Sequence, residues 1–390
     1  MIGTAAVTGV SLLALAVWAG LLFARGGFWR CNERDDRTPI AEPSRWPSIV
    51  AIVPARDEAD MLPRSLPSLL GQDYPGPFSV ILVDDHSDDE TLAIAQHLAA
   101  GAAGRLAVLE GAPPPPRWTG KLWALSQGVE KAQASSLANS PDYLLLTDAD
   151  IGYQPGALRT LAARAESGSF ALVSLMAKLR CRSLAERALI PAFVFFFQML
   201  YPFAWVNRGK TTAAAAGGCM LVRRTALADA GGIASIRGAL IDDCALGARL
   251  KQHGPVWLGL TERVESLRAY PSVGDIRRMV ARSAYAQLRF SPLLLAATLA
   301  GLALAYLAAP VIALFGSGSA RGMAWVTWAM MAVAFRPALR FFRVSAWWAP
   351  ALPLIAAAYF GFTLDSAFQH ARGRGGLWKG RVQALAAEEK

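Results

Sequence analysis

Charge is scarce in this chain. Only 17% of its 390 residues are charged and 54% are hydrophobic, a balance more apolar than a soluble domain normally carries. Cysteine is also scarce. Cys31, Cys181, Cys219 and Cys244 stand far apart; they match neither zinc-ligand spacing nor a disulfide framework, and they fit a reduced, cytoplasmic domain. There is no internal repeat, and the proline run from Pro113 to Pro116 is a short rigid loop. The polar part lacks basic residues interleaved with aromatics, which argues against a nucleic-acid partner. The net charge of +10 gathers partly at residues 277–289 and after 371, beside apolar runs, where each basic residue near anionic headgroups contributes about 1 kcal/mol.

The apolar runs are long enough to matter. Residues 6–24 carry no charge and are followed by Arg25 and Arg30, so residues 1–30 read as an N-terminal transmembrane helix with the following chain in the cytoplasm. A cleaved signal peptide is disfavoured because no basic residue precedes the run. Near the other end, residues 292–315 supply 24 uncharged residues and residues 346–364 supply 19, each sufficient to cross a hydrocarbon core of roughly 30 Å. Between them, residues 322–335 give only 14 before Arg336-Pro337, which suits a tilted or re-entrant segment. The C-terminal membrane region, 291–370, therefore holds two or three spans. The side of the basic tail, 371–390, with Arg372, Arg374, Lys379 and Arg381, depends on that segment.

Between the membrane regions the pattern changes. After a polar linker at 31–47, short β-branched runs at 48–53, 79–83, 105–109, 143–147 and 170–175 alternate with helix-like segments. This predicts an α/β domain over 48–274, Rossmann-like with a mostly parallel sheet and helices on both faces. In such sheets ligands bind beyond the carboxyl ends of the strands. Acidic clusters fall there: Asp84-Asp85 closes Val-Ile-Leu-Val, Asp148-Ala149-Asp150 closes Tyr-Leu-Leu-Leu-Thr, and Ile241-Asp242-Asp243 follows. Ionised groups packed together repel unless a cation or donor compensates them. Asp148 and Asp150 flank one residue on an extended segment and suit Mg²⁺ or Mn²⁺ shared with substrate phosphates. Val53-Pro54-Ala55-Arg56-Asp57-Glu58 turns a charged cluster toward the same edge, with a solvated turn as the plain alternative. For Ser87 and Asp88 the plain alternative is a helix cap.

Two further segments need a reading. Residues 188–207 are uncharged and Phe-rich, yet a single crossing would put Asp148 and Asp243 on opposite faces of a bilayer. Pro191, Gln198, Tyr201 and Pro202 interrupt the run, which suits an interfacial or re-entrant pair of helices receiving a lipid, with burial in the core as the alternative. Residues 275–290 read as a basic amphipathic helix on the membrane, with Arg278, Arg282 and Arg289 toward headgroups.

Ser48 to about Phe290 resembles the family 2 glycosyltransferases with a GT-A nucleotide-sugar domain. The resemblance implies that Pro54, Ala55, Arg56, Asp57 and Glu58, with Asp84, Asp85 and Ser87, hold a uridine nucleotide, and that Asp148 and Asp150 hold the metal and diphosphate. Gly120-Lys121-Leu122-Trp123-Ala124 matches the family's Gly-Lys-x-x-Ala stretch, which turns Lys121 toward the diphosphate. Gly217-Gly218-Cys219 resembles the segment lining the donor sugar and acceptor. Asp242-Asp243 resembles Glu-Asp-x-x-Leu, which implies Asp243 as general base and a supporting Asp242. Gln287-Leu288-Arg289-Phe290 departs from the Gln-x-x-Arg-Trp of polymer-forming members, so a single sugar transfer is expected.

Arg-Trp-Thr-Gly-Lys-Leu-Trp-Ala at 117–124 and the tail Gly375-Gly376-Leu377-Trp378-Lys379-Gly380-Arg381 look most like the hopene-associated glycosyltransferases. That likeness implies a lipid acceptor in hopanoid metabolism, a bacterial inner-membrane location with a cytoplasmic catalytic domain, and a cytoplasmic tail, hence three spans in all. A polyprenyl-phosphate or ceramide-like acceptor is the nearer alternative; a catalytically silent membrane scaffold is the more distant one.

Overall fold

In the computed structural model, residues 2–134, 140–209 and 211–376 are described. The chain divides into two compact units: Glu33–Arg180 with Trp205–Ala269, and a second made of residues up to Asn32, Cys181–Ala204 and the chain from Tyr270.

The first unit is built on one sheet. Its strands are β1 (Ile49–Ala55), β2 (Phe78–Asp84), β3 (Leu106–Glu110), β4 (Tyr143–Leu146), β5 (Ile151–Tyr153), β6 (Leu172–Lys178), β7 (Met220–Arg223) and β8 (Val256–Ser266), in the order β3-β2-β1-β4-β7-β6-β8-β5. β1, β2, β3 and β4 run parallel. β7 runs against β4 and β6, β8 is parallel to β6, and β5 is antiparallel to β8. The strands predicted from β-branched runs all lie within this sheet. What the runs did not disclose is its mixed half, because the short apolar β7 and the long β8 carry no signal of direction.

Buried aliphatic side chains of β1, β2 and β4, among them Ile49, Ala51, Leu82 and Leu145, form the core with α2 (Leu62–Leu70) and α5 (Ala157–Ser167). On the sheet also lie α3 (Thr91–Ala100) and α4 (Gly120–Gln133). A methyl placed on Gly128 of α4 would stand 2.4 Å from Ile52 Cγ2 and 3.1 Å from Val83 Cγ2, so only glycine lets α4 settle on β1 and β2. Gly128→Ala is expected to overpack this contact and lower stability by about 1–3 kcal/mol, read as a lower thermal midpoint.

The expected linker at 31–47 is partly structural. Arg34 pairs with Leu260 of β8, and buried Asp35 accepts from Thr261 Oγ1 at 2.7 Å and pairs with Arg263 at 3.2 Å. Burial, the dominant influence, raises the Asp35 carboxyl above its usual range against these partners.

The second unit is helical. α1 (Ile2–Phe23) is followed by α6 (Leu184–Leu200) and the start of α7 (Phe203–Arg208), then α10 (Val273–Ala281), α11 (Ala284–Gln287), α12 (Pro292–Leu302), α13 (Ala309–Phe315), α14 (Gly318–Phe341) and α15 (Leu352–Ala371); α8 (Arg224–Asp229) and α9 (Asp242–Leu250) belong to the first. Among the described residues four helical stretches are long and apolar enough to cross a membrane: Thr4–Phe23, Leu184–Arg208, Pro292–Phe315 and Ala346–Ala371.

Pro292–Phe315 passes through a π-helical stretch at Ala303–Ala308. There the carbonyl of Ala305 accepts the indole N–H of Trp18 at 2.7 Å, and Tyr306 meets the Trp18 ring edge-on. A polar donor in an apolar helix is thereby satisfied within the protein.

Three expectations are refined. The segment 322–335 lies inside α14, a helix of 24 residues with Pro337 in its last turns; its ends carry Arg321, Arg336 and Arg340 and extend it beyond the uncharged stretch. Residues 275–290 do not form one helix. α10 starts at Val273 behind a Ser272–Asp275 capping box, the chain breaks after Ala281, and Arg289 and Phe290 have φ of 52° and 55°. The break is held because Ser366 accepts the Tyr285 N–H and donates to the Ala281 carbonyl. Arg278 pairs with Asp275 of its own helix and Arg277 with Asp365.

Residues 188–207 fall on two helices, α6 and α7, broken at Tyr201-Pro202. Proline cannot donate to the preceding turn, and Arg25 donates instead to the carbonyls of Met199 and Leu200. β6 before this insert and β7 after it are hydrogen-bonded neighbours, Leu172 opposite Val222. The chain leaves and rejoins the same sheet, so the insert does not part that sheet into two sides. Of the tail expected to be cytoplasmic, Leu377–Lys390 lies outside the described residues.

Candidate active site

The parallel strands bring their carboxyl ends to one edge, and β7, running the other way, brings its amino end there. Leu146 is opposite Met220, so Thr147–Asp150 and Gly217–Cys219 are neighbours although some 70 residues separate them in sequence, as in the Thr147 Oγ1 to Gly218 carbonyl bond at 2.8 Å, 71 positions apart. At the far side β5 pairs with the end of β8, Ile151 opposite Ser266, and the Leu267 N–H reaches the Asp150 carbonyl at 2.8 Å. This sets Arg268 beside Asp150.

Ion pairs run through the crevice. Arg268 Nη2 lies 2.6 Å from both Glu58 oxygens, and its Nε lies 2.9 Å from Asp150 Oδ2. Lys121 Nζ lies 2.8 Å from Asp148 Oδ1 and 2.9 Å from Asp242 Oδ2. Burial opposes the charge on both cations, but the flanking carboxylates more than offset it and hold each pKa above its ordinary value. Asp148 is raised, first by burial, with Lys121 acting against this and the charge of Asp150 adding to it.

Asp243 stands at the amino end of α9. Its Oδ2 accepts the Gly217 N–H at 3.0 Å and its Oδ1 the Cys244 N–H at 2.7 Å. Gly247, one turn on, sits against the backbone of Ala214, where a methyl would come within 3.0 Å of its carbonyl carbon; this close approach seats α9 against the Ala214–Gly217 segment. Burial, then the charge of Asp242, raises the Asp243 carboxyl to about 6, against Lys121 and the two amide donors. A carboxylate at a helix amino terminus with two amide donors is well oriented, and a pKa near the working pH suits proton transfer.

The exits of β1 and β2 are tied together. Ser87 Oγ donates to Asp84 Oδ1 at 2.6 Å and accepts the Asp57 N–H at 3.0 Å; Asp57, at φ 50°, accepts the Asp88 N–H at 2.9 Å. Ser87 thus braces the two exits, and the cap-like role near α3 falls to Asp89, which accepts from Thr91. Arg56 donates to the carbonyls of Asp85 and His86. Pro54 and Ala55 are buried within β1, and Asp85 is 1% exposed.

Of the predicted acceptor residues, Gly217 lies at the crevice, where a methyl on it would touch Asp243 and Lys121, while Gly218 faces Ile151 and Ala177. Cys219 does not line the crevice: it is fully buried in the core, and burial pushes its thiol up to about 12. Arg268 is the site residue that sequence reasoning missed; it follows a strand whose antiparallel partner β5 is only three residues long.

Residues 50–231 match the family model for glycosyl transferase family 2. Solved structures with a similar fold include a mannosyltransferase, PcManGT, from Pyrobaculum calidifontis in complex with GDP-Man and Mn²⁺: it is 16% identical, the alignment covers 94% of this chain and 99% of that one, and the TM-score is 0.56. S. aureus TarS is 15% identical over 83% of this chain and 55% of that one, with a TM-score of 0.41. No curated protein matches the chain. The family model spans the strands from β1 to β7, and the likeness to PcManGT is one of fold. Asp242 and Asp243 of α9, and Arg268 just after β8, lie beyond the matched segment.

Proposed function

We propose that the chain is a membrane-bound, inverting glycosyltransferase that moves one sugar from a nucleotide sugar to a lipid hydroxyl, with its catalytic unit in the bacterial cytoplasm. The observation that carries this is the cluster of charges at one sheet edge, where Lys121 bridges Asp148 and Asp242, Arg268 bridges Asp150 and Glu58, and Asp243 stands beside Asp242.

The donor set fits a hard divalent ion, since Asp148 and Asp150 offer only oxygen. Two carboxylates with substrate phosphates and water are the usual shell of such an ion at a nucleotide site. Mg²⁺ or Mn²⁺ held by Asp148 and Asp150 would neutralise charge developing on the departing diphosphate.

The remaining work falls to the chain's own side chains. Asp243, its carboxylate oriented by the Gly217 and Cys244 amides, takes the proton of the lipid hydroxyl as that oxygen bonds to the anomeric carbon. The sugar–phosphate bond breaks with its electron pair going to the nucleoside diphosphate, and no covalent sugar–enzyme intermediate is required. Lys121 places a positive charge beside the diphosphate, and Asp242 holds Lys121 there. The braced exits of β1 and β2 receive the nucleoside, for which uridine is favoured on the resemblance.

A hopanoid-type acceptor is favoured by the 117–124 segment and by the tail; a single transfer is favoured by the lack of Gln-x-x-Arg-Trp. The test incubates the detergent-purified chain with a panel of UDP- and GDP-sugars and bacterial lipid extract, followed by mass spectrometry of the lipids. A single hexose or N-acetylhexosamine added to a hopanoid is expected. A sugar on a polyprenyl phosphate or ceramide-like lipid replaces the acceptor, and no glycosylated lipid from any donor removes the proposal.

A further inference from the structure

We infer that Arg268 is a positioning residue that keeps a free divalent cation off Asp150 and yields when the cation arrives with a nucleoside diphosphate. The inference rests on the reading of Asp148 and Asp150 as the metal-holding pair.

The guanidinium is fixed from two sides. Its Nη2 meets both oxygens of Glu58 at 2.6 Å, its Nε meets Asp150 Oδ2 at 2.9 Å, and the Glu58 and Asp150 side chains are only 10% and 14% exposed. Exposed ion pairs contribute little, but these carboxylates are largely withdrawn from water, where a lost partner leaves a charge uncompensated. A cation that enters alone and takes Asp150 Oδ2 displaces Nε and leaves Arg268 with Glu58 only. A cation that enters with a diphosphate offers the guanidinium new anionic oxygens, which the planar fork of arginine accepts readily.

Glu58 explains how Arg268 can exchange one anion for another and stay in place. It comes from the exit of β1, its N–H bonds Thr91 Oγ1 at 2.7 Å, and it grips the far end of the guanidinium while Nε faces Asp150. Lys121 on Asp148, backed by Asp242, repeats the arrangement across the crevice. Both oxygen ligands therefore carry a resident cation, and binding of metal and nucleotide becomes interdependent.

The experiment measures Mn²⁺ binding to the full chain in detergent by electron paramagnetic resonance, without nucleotide and with UDP. The wild type is expected to hold Mn²⁺ weakly alone and at least tenfold more tightly with UDP. Arg268→Ala is expected to tighten Mn²⁺ binding without nucleotide by tenfold or more and to shrink the UDP effect, while Arg268→Lys, which keeps the charge and loses the fork, falls between the two. Arg268→Met, which keeps the apolar stem, gives the same reading if the alanine variant fails to fold. Mn²⁺ binding lost in Asp150→Asn yet unchanged in the folded Arg268→Ala and Arg268→Met variants overturns the role of Arg268 alone. Binding that survives Asp150→Asn removes the metal-holding pair, and the inference with it.

Discussion

Asp243→Asn is expected to lower the rate of sugar transfer by about 10²–10⁴, the usual contribution of a positioned general base, with nucleotide-sugar binding retained in calorimetry. Asparagine keeps the shape and an oxygen for the Gly217 or Cys244 amide, so the loss isolates the ability to take a proton. The pH profile supplies a second reading. The ionised carboxylate is the active form and its pKa stands at about 6; kcat/KM should therefore fall tenfold per pH unit below about 6 and level off above it. Asp243→Asn should lose that limb. Turnover equal to wild type, or an unchanged acid limb in the variant, removes Asp243 from the role of base.

Asp148→Asn is expected to reduce transfer by roughly 10²–10³, the scale seen when a group stabilising developing charge is removed. The variant keeps volume and gives up one negative charge, so Lys121 retains Asp242 and the fold should hold, as a melting curve checks. Chelation of divalent ions from the wild type should give a comparable loss, reversed by Mg²⁺ or Mn²⁺. A variant that still transfers at the wild-type rate and still responds to chelator takes Asp148 out of the metal-holding pair.

Much of this site was legible in the residues before any coordinates. Asp84, Asp148 and Asp150 each close an apolar run, and the rule that ligands gather at the carboxyl edge of a parallel sheet was enough to group them. Asp243 is different: it sits on α9, and its place beside Gly217 follows from the reversal of β7, which a run of Met-Leu-Val-Arg does not announce. Arg268 was illegible for the same reason, since it depends on a strand pair three residues long. Cys219 shares a motif with Gly217, yet the turn at Gly217-Gly218 carries the chain from beside Asp243 into the core, which a motif read along the sequence does not disclose. The break in 275–290 was hidden because its stabiliser, Ser366, lies 81 positions from Tyr285.

The apolar insert between β6 and β7 also has a consequence for biosynthesis. A nascent chain that has emerged as far as Arg180 already possesses Asp148 and Asp150, but its sheet has an unfilled gap between β4 and β6, and Asp243 and Arg268 have yet to be made. β7 fills that gap only after the ribosome has delivered the Phe-rich helices. Asp148 and Asp150 are therefore always synthesised before Asp243 and Arg268, and the edge they share is complete only once the insert has been translated.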